Sequence, residues 1–245
     1  MRFNSGLISC LLLASAVLAG SYQSQQLNLL KRSPQIQDNS ELAGARIDSG
    51  NSGTFNTITG ILVAPILSGD RDSAVAVWMS IDSDGSSFGC ANFVTVSLTS
   101  TVTADGTQHQ ASMRWFPNPV VVFPLNIVSG DRIQVTFNTS DWLSGSLTFN
   151  NLSRVQSVTK EFKTDSLLCG KYADWMVGRV MGVYGADVPL ANFTTLTIQS
   201  TSAGLRGGAS YGPAEASTLF QTHTDYGVVK PKTDSDSIIF DASGL

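Results

Sequence analysis

The sequence predicts an all-β protein built as a sandwich of two antiparallel sheets. Charged residues make up only 14% of the 245 residues, while Ser, Thr, Val and Gly are common, and this composition suits strands and turns. Apolar and polar residues alternate with a period of two in one segment after another. Turn-forming pairs such as Asp105-Gly106 separate these segments. Short strands at this spacing are typical of β-sandwiches.

The alternation is clearest in five segments that follow one another along the chain. They are residues 73–82, 93–101, 132–137, 193–198 and 237–240. In the first segment Val75, Val77 and Met79 share one face, and Trp78 lies on the other. No stretch shows a long helical period with caps. Because no linker is visible after about residue 40, we expect a single domain over residues 33–245.

The N-terminus is predicted to be a secretory signal peptide over residues 1–19. An apolar stretch at residues 7–14 follows a basic start, and small residues near its end suit cleavage. A membrane anchor is the alternative, but the stretch is shorter than the ~20 residues that a bilayer requires. Residues 20–32 form a short pro-segment ending in Lys31-Arg32, either a processing site or two surface cations. We therefore expect a secreted, extracellular protein without a membrane contact after the signal is removed.

Cysteine and asparagine patterns agree with secretion. Cys10 leaves with the signal peptide, and Cys90 and Cys169 remain as an even pair in an oxidising route. This pair is either a disulfide or two buried thiols. Three triplets match the glycosylation acceptor pattern, and they begin at Asn138, Asn151 and Asn192.

Several function classes are excluded by composition and spacing. The formal net charge is −4 and no basic stripe exists, which argues against a nucleic-acid partner. No His, Cys and carboxylate cluster has metal-ligand spacing, and no glycine-rich segment forms a phosphate-binding loop. We expect no metal and no cofactor, and we expect a monomer.

A set of short motifs, in shared order, resembles the eqolisins, a family of fungal secreted glutamic peptidases. They cover residues 43–45, 55–65, 77–82, 113–117, 129–135, 168–178 and 188–193. The match at Trp78 to Asp82, for example, is to the family's Trp-Val-Gly-Ile-Asp. The resemblance implies a concanavalin A-like jelly roll with a concave groove that holds an extended peptide. It also implies a disulfide between Cys90 and Cys169.

The family's catalytic pair is absent at the matching positions. Eqolisins attack the peptide bond through water, with a glutamate that accepts a proton and a glutamine that stabilises the oxyanion. The glutamine position falls on Val96 by an ungapped count, or on Thr95 if strand alternation decides. The glutamate position is Gly178. Two nearby acids, Asp82 and Asp174, are the candidate substitutes for the base.

The resemblance also assigns a set of groove residues. They are Trp78, Asp82, Gln110, Ser112, Arg114, Phe116 and Asp174. Arg114 stands where the family has a glutamate, and a cation there would keep nearby carboxylates ionised. Trp78 and Asp82 have two interpretations: they contact a ligand, or they serve the architecture as an aromatic at the core edge and a turn-anchoring acid.

Three functions follow from these residues. The favoured hypothesis is a secreted eqolisin-like protein that is catalytically inactive or strongly impaired and whose groove binds an extended polypeptide or a glycan. The second is an acid endopeptidase in which Asp174 or Asp82 acts as the base. The third is a structural sandwich of a cell wall or matrix, without a ligand.

Overall fold

The structure is a computed structural model that describes residues 33–82, 91–180, 188–224 and 227–242. These residues form sixteen strands and one short 3₁₀ helix, Pro213–Glu215, and they contain no α-helix. In this part of the chain no helix is long and apolar enough to cross a membrane. The signal peptide, the pro-segment with Lys31-Arg32, and Cys90 lie outside the described residues, so those expectations stay predictions.

The strands, numbered in chain order, form two sheets. Sheet A contains β1 (Gln35–Asn39), β2 (Leu42–Asp48), β4 (Ala74–Ile81), β5 (Val94–Thr103), β6 (Gly106–Trp115), β7 (Val121–Phe123), β11 (Tyr172–Gly178) and β14 (Thr218–Thr224). Sheet B contains β3 (Phe55–Val63), β8 (Arg132–Thr139), β9 (Ser144–Asn151), β10 (Gln156–Lys163), β12 (Thr195–Leu205), β13 (Ser210–Tyr211) and β16 (Ile238–Asp241). The remaining strand, β15 (Gly227–Thr233), pairs with β14 at its start and with β16 at its end, and so joins the two sheets.

The strand order places the candidate site in the middle of sheet A. That sheet runs β1, β14, β2, β11, β4, β5, β6, β7, and sheet B runs β10, β9, β8, β3, β12, β16. Neighbouring strands are antiparallel except for β1, which pairs with β14 in parallel. Strands β4, β6 and β11 carry five of the seven residues that the sequence predicts for the groove, and Asp82 and Phe116 directly follow β4 and β6.

The core explains why the alternating segments become strands. In β5, Val94, Val96 and Leu98 are buried, while the residues between them are partly exposed. Strand β8 repeats the pattern with Ile133 and Val135 inside. Both sheets direct these apolar faces into one shared core, and full burial of one large aliphatic or aromatic side chain contributes roughly 1.5–3 kcal/mol. The predicted all-β antiparallel sandwich is confirmed.

Candidate functional site

The outer face of sheet A, meaning the face turned away from sheet B, collects the predicted groove residues in rows across the strands. One row contains Arg46, Asp174, Ser80, Thr95 and Arg114. The next contains Gly44, Met176, Trp78, Ser97 and Ser112. A third contains Leu42, Gly178, Ala76, Thr99 and Gln110.

Phe116 follows β6 directly, and its N–H donates to the Phe93 carbonyl at 2.8 Å, which places both aromatics beyond Arg114.

Asp174 lies on this face but is engaged in a buried ion pair. Its side chain is fully buried, and the Arg46 Nε donates to its Oδ1 at 2.6 Å. The Ser80 hydroxyl donates to the other carboxylate oxygen at 3.3 Å. The Arg46 guanidinium is itself held between the rings of Tyr172 and Phe220, at 5.1 and 5.2 Å from their centroids. Asp174 is therefore a neutralised structural acid in this arrangement, not a carboxylate open to a water nucleophile.

Asp82 comes directly after β4 and anchors the chain that leads into β11. Its carboxylate accepts four consecutive backbone N–H bonds, from Cys169 at 2.8 Å, Gly170 at 2.6 Å, Lys171 at 2.6 Å and Tyr172 at 3.2 Å. The residue is 3% exposed. Burial raises the pKa of Asp82, and the four N–H donors oppose that rise. Of the two interpretations of Asp82, these contacts support the architectural one.

The position that matches the catalytic glutamate, Gly178, has no room for a side chain. A Cβ there would lie 2.5 Å from the Glu41 carbonyl oxygen, 2.9 Å from the Trp78 indole and 3.2 Å from the Leu42 Cα. Two of these three atoms belong to the backbone at Glu41 and Leu42, which cannot move aside as a flexible side chain would. The neighbouring segment therefore fills the space that an acidic side chain at this position would occupy.

The side chains at the two candidate positions for the glutamine lie on opposite faces of sheet A. Val96 is 1% exposed and packs in the core, so only Thr95 lies on the outer face. Thr95 aligns through Ser80 with Asp174, whereas Gly178 aligns through Ala76 with Thr99. Two strand spacings and four residues along a strand separate Thr95 from Gly178, on the order of 15 Å. The structure does not bring this pair together around one water.

A stack of three side chains occupies the β6 end of the face. The rings of Phe93 and Phe116 are parallel, 5.0 Å apart with an interplanar angle of 6°. The Arg114 guanidinium lies 5.0 Å from the Phe116 centroid, and its Nε donates to the Asn118 carbonyl at 3.3 Å. Arg114 is exposed, and both phenylalanines are partly exposed. Arg114 is therefore exposed on the outer face, beside an aromatic surface.

The middle of the face is polar and hydroxyl-rich. The Ser97 and Ser112 hydroxyls form a hydrogen bond of 2.9 Å, Gln110 is exposed, and Trp78 is partly exposed between Met176 and Ser97. Trp78 also covers Gly178. Its indole thus has an architectural role, and the rest of its surface stays partly exposed on the outer face.

Sequence reasoning missed the residues that complete these contacts. Arg46, Ser80 and Phe93 are all absent from the predicted groove set. A signal for Arg46 exists, since it is the one cation in β2, within a chain where charge is sparse. Its distance of 128 residues from Asp174 hides the pair from any local pattern.

The predicted modification sites differ in accessibility. Asn138 is exposed and Asn192 is half-buried. Asn151 is fully buried, and its amide donates to the Asn126 carbonyl at 3.1 Å and to Asp131 at 2.9 Å, an arrangement that leaves no space for a glycan. The disulfide between Cys169 and Cys90 stays a prediction, since Cys90 lies outside the described residues.

Solved structures with the same fold are glutamic peptidases. Scytalido-glutamic peptidase bound to a transition state analogue inhibitor superposes with a TM-score of 0.70 at 23% identity, covering 83% of this chain and 98% of that one. Aspergilloglutamic peptidase from Aspergillus niger gives a TM-score of 0.60 at 26% identity, covering 69% and 98%. The fold of this chain is therefore that of a glutamic-peptidase β-sandwich.

Residues 40–238 match the Peptidase A4 family, and this chain belongs to that family, as the eqolisin resemblance implied. Aspergillopepsin-2 from Aspergillus niger is 30% identical over 153 residues, which is 61% of this chain and 52% of that protein. Scytalidopepsin B from Scytalidium lignicola is 29% identical over 177 residues, which is 67% of this chain and 66% of that protein. The chain thus spans about half of the first relative and just under two thirds of the second.

Proposed function

We propose that this Peptidase A4 family protein binds an extended polypeptide on the outer face of sheet A and does not cleave it. The observation that carries the proposal is the closed space at Gly178, where a Cβ would lie 2.5 Å from a backbone carbonyl. Without an acid there, the face lacks the group that would take a proton from water. The loss of a general base costs about 10²–10⁴ in rate.

The two candidate substitute acids do not support activity. Asp174 is fully buried against Arg46, and Asp82 is saturated by four backbone N–H bonds. A base must reach a water that also reaches the scissile carbonyl, and each of these carboxylates already has structural partners. An endopeptidase with a substituted pair therefore has less support than a binding protein.

A polypeptide is favoured over a glycan as the ligand. Related structures have been solved with peptide ligands, namely scytalido-glutamic peptidase with a peptide-based transition state analogue and SCP-B with the tripeptide Ala-Ile-His. An extended peptide also suits a row of hydroxyls and partly exposed aromatic rings, since both offer contacts at the spacing of alternate side chains.

The test combines cleavage and binding on the same purified protein. We expect no new peptides from an unfolded protein substrate incubated between about pH 2 and 7, with aspergillopepsin-2 as the positive control. We expect saturable binding of a labelled, end-blocked extended peptide, weakened by Trp78→Ala and unchanged by Thr148→Ala on the opposite sheet. Cleavage by the wild type that is lost in Asp174→Asn or Asp82→Asn would overturn the proposal. If the protein neither cleaves nor binds peptides, a structural role would be favoured. If it binds glycans but not peptides, the ligand would be a glycan.

We further propose that the chain is secreted after removal of residues 1–19 and cut after Arg32. The support is the apolar N-terminal stretch and the dibasic pair. N-terminal sequencing of protein secreted by a fungal expression host is expected to begin at Ser33. A start between residues 20 and 31 would support removal of the signal peptide and would contradict cleavage after Arg32.

A further inference from the structure

The arginine at the β6 end of the outer face is held in a fixed orientation. Its guanidinium lies 5.0 Å from the Phe116 centroid, and Phe116 stacks on Phe93 at 5.0 Å. The Nε donates to the Asn118 carbonyl at 3.3 Å. Because a guanidinium has five N–H donors in one plane, these contacts orient Arg114 without using its terminal nitrogens.

This arginine carries a charge that the described part of the chain does not neutralise. Within the described residues no carboxylate lies in ion-pair distance of Arg114, whereas Arg46 in the same row pairs with Asp174 at 2.6 Å. Asp82 is held by backbone donors. The row across sheet A therefore has a compensated cation at one end and an exposed, uncompensated cation at the other.

We propose that Arg114, Phe116 and Phe93 form a recognition platform for an extended polypeptide that carries an acidic side chain two residues from an aromatic one. This rests on the proposed binding function of the same face. A planar guanidinium matches a carboxylate with two parallel hydrogen bonds, and the partly exposed rings offer an edge or face to an aromatic side chain.

The spacing of the platform fits this ligand. Phe116 lies in the turn that follows β6, where the Arg114 guanidinium is 5.0 Å from its ring centroid and the Phe93 and Phe116 centroids are 5.0 Å apart. An extended ligand places side chains i and i+2 on one side about 7 Å apart, so one of them can reach the guanidinium while the other contacts the exposed parts of the two rings. One residue pair of the ligand can thus engage both members of the platform together.

The test uses two rhodamine-labelled, end-blocked hexapeptides of alternating Thr and Val, measured by fluorescence anisotropy at neutral pH. One carries Glu and Phe two positions apart, and in the other Gln replaces Glu. We expect wild type to bind the Glu peptide about tenfold more tightly, the size of one charge-assisted contact. Arg114→Gln is expected to abolish this preference, and Arg114→Lys to retain only part of it, since an ammonium cannot form the planar pair.

Arg132→Gln is the matched control, because Arg132 is an exposed arginine on β8 of sheet B. It is expected to bind both peptides as wild type does. Equal affinity of wild type for the two peptides, unchanged in Arg114→Gln, would overturn the platform while leaving the binding function in place. Failure of wild type to bind either peptide would overturn both. Phe116→Leu is expected to weaken the Glu and Gln peptides alike, and no change in that variant would remove the aromatic part of the proposal.

Discussion

Asp82 and Asp174 are two buried carboxylates at the centre of sheet A, and the fold satisfies them in different ways. Asp82 accepts four consecutive backbone N–H groups, whereas Asp174 accepts hydrogen bonds from the side chains of Arg46 and Ser80. Both are nearly inaccessible, at 3% and 0% exposure. In each case the fold itself compensates the negative charge.

The difference shows what each acid does. Backbone donors are fixed in place by the chain, so Asp82 sets the path of residues 169–172 into β11. Side-chain donors can be exchanged by mutation, so the Arg46–Asp174 pair is a replaceable unit that ties β2 to β11. Each carboxylate thus has structural partners of its own, backbone groups for Asp82 and side chains for Asp174.

The largest expected effect is the loss of Asp82. Asp82→Ala leaves four N–H groups without an acceptor, one of them buried and three partly buried, and a buried group left in this way costs about 1–3 kcal/mol. We expect the free energy of unfolding, measured with urea, to fall by about 4 kcal/mol or more. Asp82→Asn keeps one acceptor oxygen and is expected to lose about half as much. A loss under about 1 kcal/mol in Asp82→Ala would contradict the anchoring role.

Removal of Arg46 is expected to have the next largest effect. Arg46→Met leaves the Asp174 charge buried beside Ser80, and breaking a buried pair in this way costs about 3 kcal/mol or more. The double variant Arg46→Met with Asp174→Leu removes both charges and is expected to regain most of the loss. No such rescue exists for Asp82, because its donors are backbone. A double variant as unstable as Arg46→Met would show that the pair contributes more than mutual neutralisation.

Features that depend on neighbouring residues were predictable from the sequence, and features that depend on distant contacts were not. The alternation in β4, β5 and β8 depends on neighbouring residues, and it correctly predicted the strands and their inner faces. It also put Ser112 and Arg114 on one face of their strand. These results follow from the two-residue period of a strand, whereas the family resemblance was needed to place Trp78 on the same outer face.

The site itself depends on contacts that no local pattern contains. The donors of Asp82 lie 87–90 residues away in sequence, and Arg46 is 128 residues from Asp174. The absence of an acid at Gly178 is visible in the sequence, but the steric closure is not, because it arises where Glu41 and Leu42 pass beside β11. The separation between Thr95 and Gly178 also cannot be predicted without knowing which residues pair across the strands.

A smaller effect tests whether the closure at Gly178 is steric. Gly178→Ala places a Cβ against the Glu41 carbonyl at 2.5 Å, and such overpacking costs about 1–3 kcal/mol. Gly50→Ala is the control, since Gly50 has a φ of +57° but no atom within 4 Å of a new Cβ. We expect the control to lose about 1 kcal/mol from backbone strain alone, by urea unfolding. Gly178→Ala as stable as wild type would reopen the position to an acid.

The smallest expected effect comes from Asp131, a third buried carboxylate that combines both kinds of donor. It accepts from the Val128 N–H at 3.0 Å, the Asn151 amide at 2.9 Å and the Arg154 Nε at 2.7 Å. Burial disfavours its charged form, but these hydrogen bonds together lower the pKa of Asp131. Arg154 is 36% exposed, so solvent weakens the ion pair, and we expect Asp131→Asn to cost about 1 kcal/mol at neutral pH.

The pH dependence of this difference separates Asp131 from Asp82. A carboxyl whose pKa is lower in the folded than in the unfolded chain stabilises the fold above its unfolded pKa of about 3.9, and this contribution is lost as pH falls through the folded pKa. Urea unfolding of wild type and Asp131→Asn should therefore differ by a constant amount between about pH 7 and 5, and the difference should shrink below about pH 4. Asp82, whose pKa is raised, contributes with the opposite sign: its ionisation opposes folding as pH rises through the folded pKa, so the loss in Asp82→Asn should become larger on acidification. The same trend in both variants would mean that the backbone donors at Asp82 outweigh its burial.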